Sequence, residues 1–277
     1  GAETSMFAGK AWWITGASSG IGMALAEALA KDGARLILSG RNVEALNDVA
    51  KRVGGETLVL PFEVTDYARI PALVEQAWAW SGRVDGLVNN AGISQRSLAI
   101  DTVFEVYEKI IAVDLLAPIA LTQALLPRMT GAGGGHIVAI SSVAGIAGPP
   151  LRSAYSAAKA GLIGYNDSVR AETAHLGMQV LVVAPGSVRT NVSKNALDAN
   201  AETRGFSDSV IDNGMAPEVA AERIIAALRN GERELILAEG MEAEIARLRR
   251  ADPNTLFDLM VKLVAGGYAK QLGAEKS

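Results

Sequence analysis

The stretch TGASSGIG, residues 15–22, decides the fold. It follows a short apolar run, AWWITG (11–16), and opens a run with helical spacing, MALAEALAKDG (23–33). A glycine-rich turn between a first strand and a first helix is suited to a phosphate. Gly16 can adopt backbone angles closed to other residues. Gly20 and Gly22 let the main chain and the helix come close to a ligand, and Ile21 lies between them. The helix N-terminus offers N–H groups and partial positive charge. Ser18 and Ser19 could add hydroxyl donors. The spacing is Gly-x3-Gly-x-Gly, not the G-x-G-x-x-G of the dinucleotide fingerprint. Its place between strand and helix therefore carries much of the reading.

Working outward, the alternation continues. RLILSG (35–40), ETLVLPFEV (56–64), VDGLVNNAG (84–92), GGHIVAISS (134–142), MQVLVVAPG (178–186) and ERELILA (232–238) read as strands. NVEALNDVAKRVG (42–54), RIPALVEQAWAWSG (69–82), 103–129, 153–176 and 217–231 read as helices, the third of these despite Pro118. Continuous apolar strands alternating with helices predict an α/β fold, a doubly wound parallel sheet covered on both faces. The expected organisation is one domain over 1–277, with Met6 as the natural start and 253–277 as a C-terminal extension. The polar, irregular segment 187–216 reads as a lid over a site.

Composition narrows the function. The 277 residues are 49% hydrophobic and 20% charged, which argues against disorder. A net charge of −4 argues against a nucleic-acid surface, which needs a basic stripe. The absence of cysteine excludes disulfides, thiolate zinc sites and cysteine nucleophiles. His136 and His175 lack ligand spacing, so no metal is expected. The apolar stretch 110–126 carries Asp114, Pro118 and Gln123 and falls short of the ~20 apolar residues of a span. Without a signal peptide, a cytoplasmic location is expected.

The second predicted strand ends at LSGRN (38–42), where the adenosine ribose of a dinucleotide would lie. Ser39 and Gly40 supply no acid to bind a 2′-hydroxyl, and Arg41 suits a 2′-phosphate. NADP(H) is therefore preferred over NAD(H), which stays possible.

AYSAAKAG (154–161) places Tyr155 and Lys159 four residues apart, on one face of a helix. With this pair the chain resembles the short-chain dehydrogenase/reductase family, in its non-extended branch. Four motifs match in order: TGASSGIG (15–22), NNAG (89–92), ISS (140–142) with YSAAK (155–159), and PGSVRT (185–190). RTNVSKNAL (189–197) and the C-terminal extension look like the DHRS7-like subgroup. The resemblance implies hydride exchange between a nicotinamide cofactor and a carbonyl or alcohol. Tyr155 would be the general acid/base, Ser142 would hydrogen-bond the substrate oxygen, and Lys159 would bind the nicotinamide ribose and favour the ionised phenol. Asn90 and Gly92 would line the cofactor. Pro185, Gly186, Val188 and Thr190 would flank its nicotinamide end.

Two positions depart from the family pattern. Asp114 stands where the family has the asparagine of a Ser-Tyr-Lys-Asn tetrad, and would partly cancel the Lys159 charge unless protonated or turned away. Glu63-Val64 replaces the family's Asp-Val beside the adenine, so both residues are carried over as cofactor contacts. A nucleotide sensor on the same fold is the alternative, disfavoured because Tyr155 and Lys159 are both present. An extended-branch epimerase or dehydratase has a different glycine spacing. The expected substrate pocket uses Ala144, Ile146, Pro149, Leu151, Ser94 and Gln95. These are mostly apolar and include no arginine clamp, so a lipophilic small molecule is expected. The long helices suit a homodimer or homotetramer. Leu256, Met260, Leu263 and Val264 share a face in the tail, with core packing ranked first.

Overall fold

The computed structural model describes residues 5–189, 196–203 and 214–267. Thr190 and most of the expected lid lie outside the described residues.

Seven parallel strands form one sheet in the order β3-β2-β1-β4-β5-β6-β7. They are β1 (Ala11–Thr15), β2 (Arg35–Ser39), β3 (Thr57–Val59), β4 (Gly86–Asn89), β5 (Gly135–Ile140), β6 (Met178–Pro185) and β7 (Glu234–Leu237). The strand order reverses between β1 and β4, and that switch point opens a crevice at the carboxyl ends of the strands. Helices α1 (Gly20–Lys31), α2 (Val43–Val53) and α3 (Ile70–Ser81) connect the first four strands. The expected doubly wound α/β fold is the one observed.

Alternation along each strand sends neighbouring side chains to opposite faces. Trp12, Ile14, Leu36 and Leu38 join one apolar layer, with Leu25 and Leu29 of α1. Trp13, Ile37 and Leu87 join the other, with Leu73 and Val74 of α3. Both layers are buried, which is why the strands read as unbroken apolar runs rather than as alternating ones. Each large side chain fully buried here contributes about 1.5–3 kcal/mol. Position 86 must be glycine because Trp12 lies over it: a Cβ there would come 2.3 Å from the indole.

β3 is shorter than its sequence run. Leu60 and Phe62 still donate to the Leu38 and Gly40 carbonyls, but Pro61 between them has no N–H to give. α3 ends at Gly82, whose φ of +75° closes the helix with its N–H on the Trp78 carbonyl.

The predicted helix over 103–129 is one helical run in three parts. α4 (Phe104–Ile111) and α5 (Ala117–Gly131) flank a wide π turn, Ala112–Leu116. Pro118 sits in the first turn of α5, where it is tolerated. The whole run, Phe104–Gly131, is long and apolar enough to cross a membrane by length and composition, so the 110–126 stretch understated it. Within the fold Leu121, Leu125 and Met129 are buried in the second apolar layer.

Beyond β5 come a single helical turn, α6 (Val143–Ile146), then α7 (Ser153–Thr173), α8 (Pro217–Arg229), α9 (Gly240–Ala251) and α10 (Pro253–Ala265). The tail packs less than expected: Leu256 is buried, whereas Leu263 and Val264 are exposed. Of the two histidines, His136 stacks on Trp12, and burial pushes its pKa down against the opposing pull of Asp85. His175 is exposed. Among the described residues no group of acids and histidines is arranged to hold a metal.

Candidate active site

The phosphate turn forms as its sequence demands. Gly16 and Gly20 have φ of +61° and +57°, angles that an L side chain would strain. Gly22 meets a different need. A Cβ there would come 2.2 Å from the Gly16 carbonyl oxygen, so the first turn of α1 folds tightly under the loop. Asn90 ties the turn to the end of β4: its Nδ2 donates to the carbonyls of Thr15 and Gly16 at 3.2 and 3.1 Å. Thr15 Oγ1 returns the link by accepting the Asn90 and Ala91 N–H groups. Ser19 caps α1 in extended geometry and its hydroxyl makes no capping bond, so it takes none of the first-turn N–H groups, and Ser19, Gly20 and Ile21 line the crevice. Gly22→Ala is therefore expected to weaken dinucleotide binding about tenfold, because backbone rather than a movable side chain must shift. Titration of protein fluorescence with the dinucleotide would measure it.

One cleft joins this turn to the polar residues at the far ends of β5 and β6. It is an open cleft with a mixed polar and apolar lining. Gly16, Ser19, Gly20 and Ile21 line one end, and Ser142, Tyr155, Lys159, Pro185, Gly186 and Val188 line the other, with Asn90 and Gly92 between. Ser18 and Gly22 support the turn without lining the cleft.

Tyr155 and Lys159 share the inner face of α7. Lys159 is buried, and its Nζ donates to the Ile140 carbonyl at 2.9 Å and lies 5.6 Å from the centre of the Tyr155 ring. Ser141 fixes the helix from the strand end, donating its Oγ–H to the Lys159 carbonyl at 2.8 Å. Ser142 caps α6, its Oγ accepting the Ala144 N–H at 3.0 Å. That bond uses a lone pair of Oγ and leaves its O–H proton for an acceptor in the cleft.

Asp114 is buried behind Gly92, within the π turn. Its Oδ1 accepts the Ile93 N–H at 2.8 Å, and Oδ2 has no hydrogen-bond partner among the described residues. Burial pushes its carboxyl up to about 6, against the pull of the Lys159 ammonium, the Ile93 N–H and the Arg152 guanidinium. The wide turn is what brings this side chain inward. A Cβ on Gly92 would lie 3.4 Å from Asp114 Oδ1 and 3.5 Å from Lys159 Nζ, so the carboxyl and the ammonium flank the same glycine.

Arg41, Glu63 and Val64 stand apart from this cleft. Arg41 and Glu63 form an exposed ion pair at 3.5 Å beyond the ends of β2 and β3. Val64 lines a smaller pocket with Thr15, Asn89 and Leu121.

The expected pocket wall needs correction. Ala144 and Pro149 line the cleft, but Ser94, Gln95 and Leu151 are buried behind it, and Ile146 is not part of the wall. Two arginines do line it, Arg96 and Arg152. Arg152 lies with its guanidinium carbon 4.2 Å from the Tyr155 ring centre, and both arginines donate to Ser94 Oγ. The i, i+3 spacing from Arg152 to Tyr155 was a signal that could have placed it. Glu242 and Ile245 of α9 also line the cleft, and no motif pointed to them.

Known proteins share this chain's sequence pattern and fold. The family model described as short chain dehydrogenase matches residues 10–201. The chain is 38% identical over 262 residues to "Dehydrogenase/reductase SDR family protein 7-like" of Drosophila melanogaster, covering 92% of this chain and 80% of that protein. It is 36% identical over 256 residues to "Dehydrogenase/reductase SDR family member 7B" of Bos taurus, covering 89% and 79%. A short-chain dehydrogenase from Streptomyces avermitilis has a similar solved structure, with a TM-score of 0.80, 33% identity, and 95% and 99% of the two chains covered.

Proposed function

The chain belongs to the short-chain dehydrogenase/reductase family, on its DHRS7-like side, and from that premise we propose an NADP(H)-dependent interconversion of a carbonyl and an alcohol in which Tyr155 moves the proton. Membership makes it an oxidoreductase of CH–OH groups or carbonyls that works with a nicotinamide dinucleotide. The observation carrying the finer reading is the single cleft that runs from the glycine turn to Ser142, Tyr155 and Lys159.

The dinucleotide, when bound, supplies or accepts the hydride. The residues present fit it. The α1 N-terminus and its glycine turn would receive the pyrophosphate. Lys159, with one N–H on Ile140, has donors left for the nicotinamide ribose. In reduction, Tyr155 Oη would give its proton to the substrate oxygen, and the product would be the alcohol. Ser142 holds the same oxygen through the O–H that its capping bond leaves over, stabilising the charge that develops there. Oxidation runs these steps backwards. Val143, Ala144, Ala147, Pro149 and Ile245 support an apolar part of the substrate, with Arg96 and Arg152 offering charge on the same cleft wall. Exposed Ile100, Phe104 and Leu116 support self-association across the α4–α5 face.

The direct test follows the absorbance of the reduced nicotinamide with a panel of ketones, aldehydes and secondary alcohols. Consumption or production of reduced cofactor is expected. Tight binding with no turnover across the panel would favour the nucleotide sensor instead. The preference for NADP(H) rests on Arg41 and on the missing acid at Ser39 and Gly40. Glu63, paired to Arg41, is the observation that favours NAD(H), since it holds a carboxylate beside the guanidinium. Arg41→Asp is expected to move the ratio of kcat/KM for NADPH over NADH about tenfold or more toward NADH. An unchanged ratio would remove Arg41 from cofactor selection.

A further inference from the structure

Glu242 sits in the first turn of α9, outside every motif that identified the site. Its Oε1 accepts the Ser187 N–H at 2.9 Å. A Cβ on Gly186 would lie 3.0 Å from Glu242 Cδ and Oε1, so the glycine lets the carboxylate rest against the loop backbone. The same carboxylate lines the cleft beside Pro185, Gly186, Ser187 and Val188. A helix from the C-terminal part of the chain thus places a negative charge at the end of the cleft that holds Tyr155.

We propose that Glu242 is a positioning residue that holds the Pro185–Val188 loop and, through its charge, favours the oxidised nicotinamide over the reduced one. This rests on the cofactor reading given above. The oxidised ring carries a positive charge that the reduced ring lacks, so an anion at the loop binds the two forms unequally. The other charged residues lining the cleft, Lys159, Arg96 and Arg152, act in the opposite sense. Glu242 offsets them on the side of the loop.

Glu242→Gln separates charge from shape, because the amide oxygen can still accept the Ser187 N–H. Dissociation constants for NADP⁺, NADPH and 2′,5′-ADP are measured by fluorescence titration of the intact protein. The ratio Kd(NADP⁺)/Kd(NADPH) is expected to rise about tenfold in the glutamine variant. Affinity for 2′,5′-ADP, which lacks the nicotinamide half, is expected to stay within twofold of wild type. Glu242→Asp keeps the charge and is expected to keep the wild-type ratio. An unchanged ratio in Glu242→Gln, with 2′,5′-ADP still bound, would overturn this inference alone. An equal loss of 2′,5′-ADP affinity would also overturn it, by making Glu242 a general support of the fold. Failure of the wild type to bind either NADP(H) or NAD(H) would bring down the cofactor reading and this inference with it.

Discussion

Tyr155→Phe is expected to lower kcat by about 10²–10⁴-fold, the range that one positioned proton donor supplies. Phenylalanine keeps the ring within 4.2 Å of the Arg152 guanidinium carbon and 5.6 Å of the Lys159 ammonium, and removes only the hydroxyl. Cofactor affinity is expected to change by less than about threefold, since the ribose donors belong to Lys159. The melting temperature is expected to hold, because the packing of α7 against β6 and the Ser141 bond to Lys159 are untouched. The check is steady-state oxidation of the reduced cofactor with whichever carbonyl compound the wild type turns over best. A phenylalanine variant with wild-type kcat would mean that the proton comes from elsewhere, and the proposed role of Tyr155 would be gone.

The second large effect is expected from Asp114→Asn, and it concerns stability as a function of pH. In the folded protein this carboxyl is pushed up from 3.8 to about 6, mostly by burial. Between those values the native state holds a proton that the unfolded chain has lost. Stability therefore falls as pH rises from about 4 to about 6, and levels off above. A rise from 3.8 to about 6 corresponds to about 3 kcal/mol. Asparagine keeps the oxygen that accepts the Ile93 N–H and has nothing to ionise. The difference in stability between the variant and the wild type should therefore grow in favour of asparagine across that window. Near pH 4 the difference is at its smallest, and above pH 7 it reaches about 3 kcal/mol more, roughly 6–12 °C in Tm for a chain of this size. Thermal unfolding at pH 4, 5, 6 and 8 measures it. A difference that does not vary with pH would show that Asp114 is ionised throughout, and that its burial is compensated.

The sheet was legible because its signal is redundant. AWWIT, RLILS and HIVAI are apolar at their buried positions except Thr15 and Ser39 at the strand ends, and each lies before a glycine turn or a helix of the right period. The grouping of Ser142, Tyr155 and Lys159 on one cleft was legible because Tyr155 and Lys159 sit one helical turn apart, and Ser142 lies at the end of the strand just before them. The pocket wall was not. Arg96 and Arg152 converge on Ser94 from segments more than fifty residues apart, and no periodicity reports a long-range contact of that kind. Glu242 reaches the site from a helix whose own pattern is that of a polar surface helix. The tail misled for a related reason. Its apolar spacing marks a face, but spacing cannot say whether anything covers it, and only Leu256 is buried.

The wide turn at Ala112–Leu116 has a consequence for how such a site can be remodelled. A loop with an extra residue simply swells, but a rod with an extra residue must rotate everything downstream. Here the surplus is absorbed locally, so Phe104–Ile111 and Ala117–Gly131 each keep their own docking surface. Deleting Ala112 or Val113 is expected to restore regular winding and turn Asp114 by about 100° relative to α4, away from Gly92. One codon of length, rather than a change of side chain, is enough to aim or withdraw an acid behind the cleft.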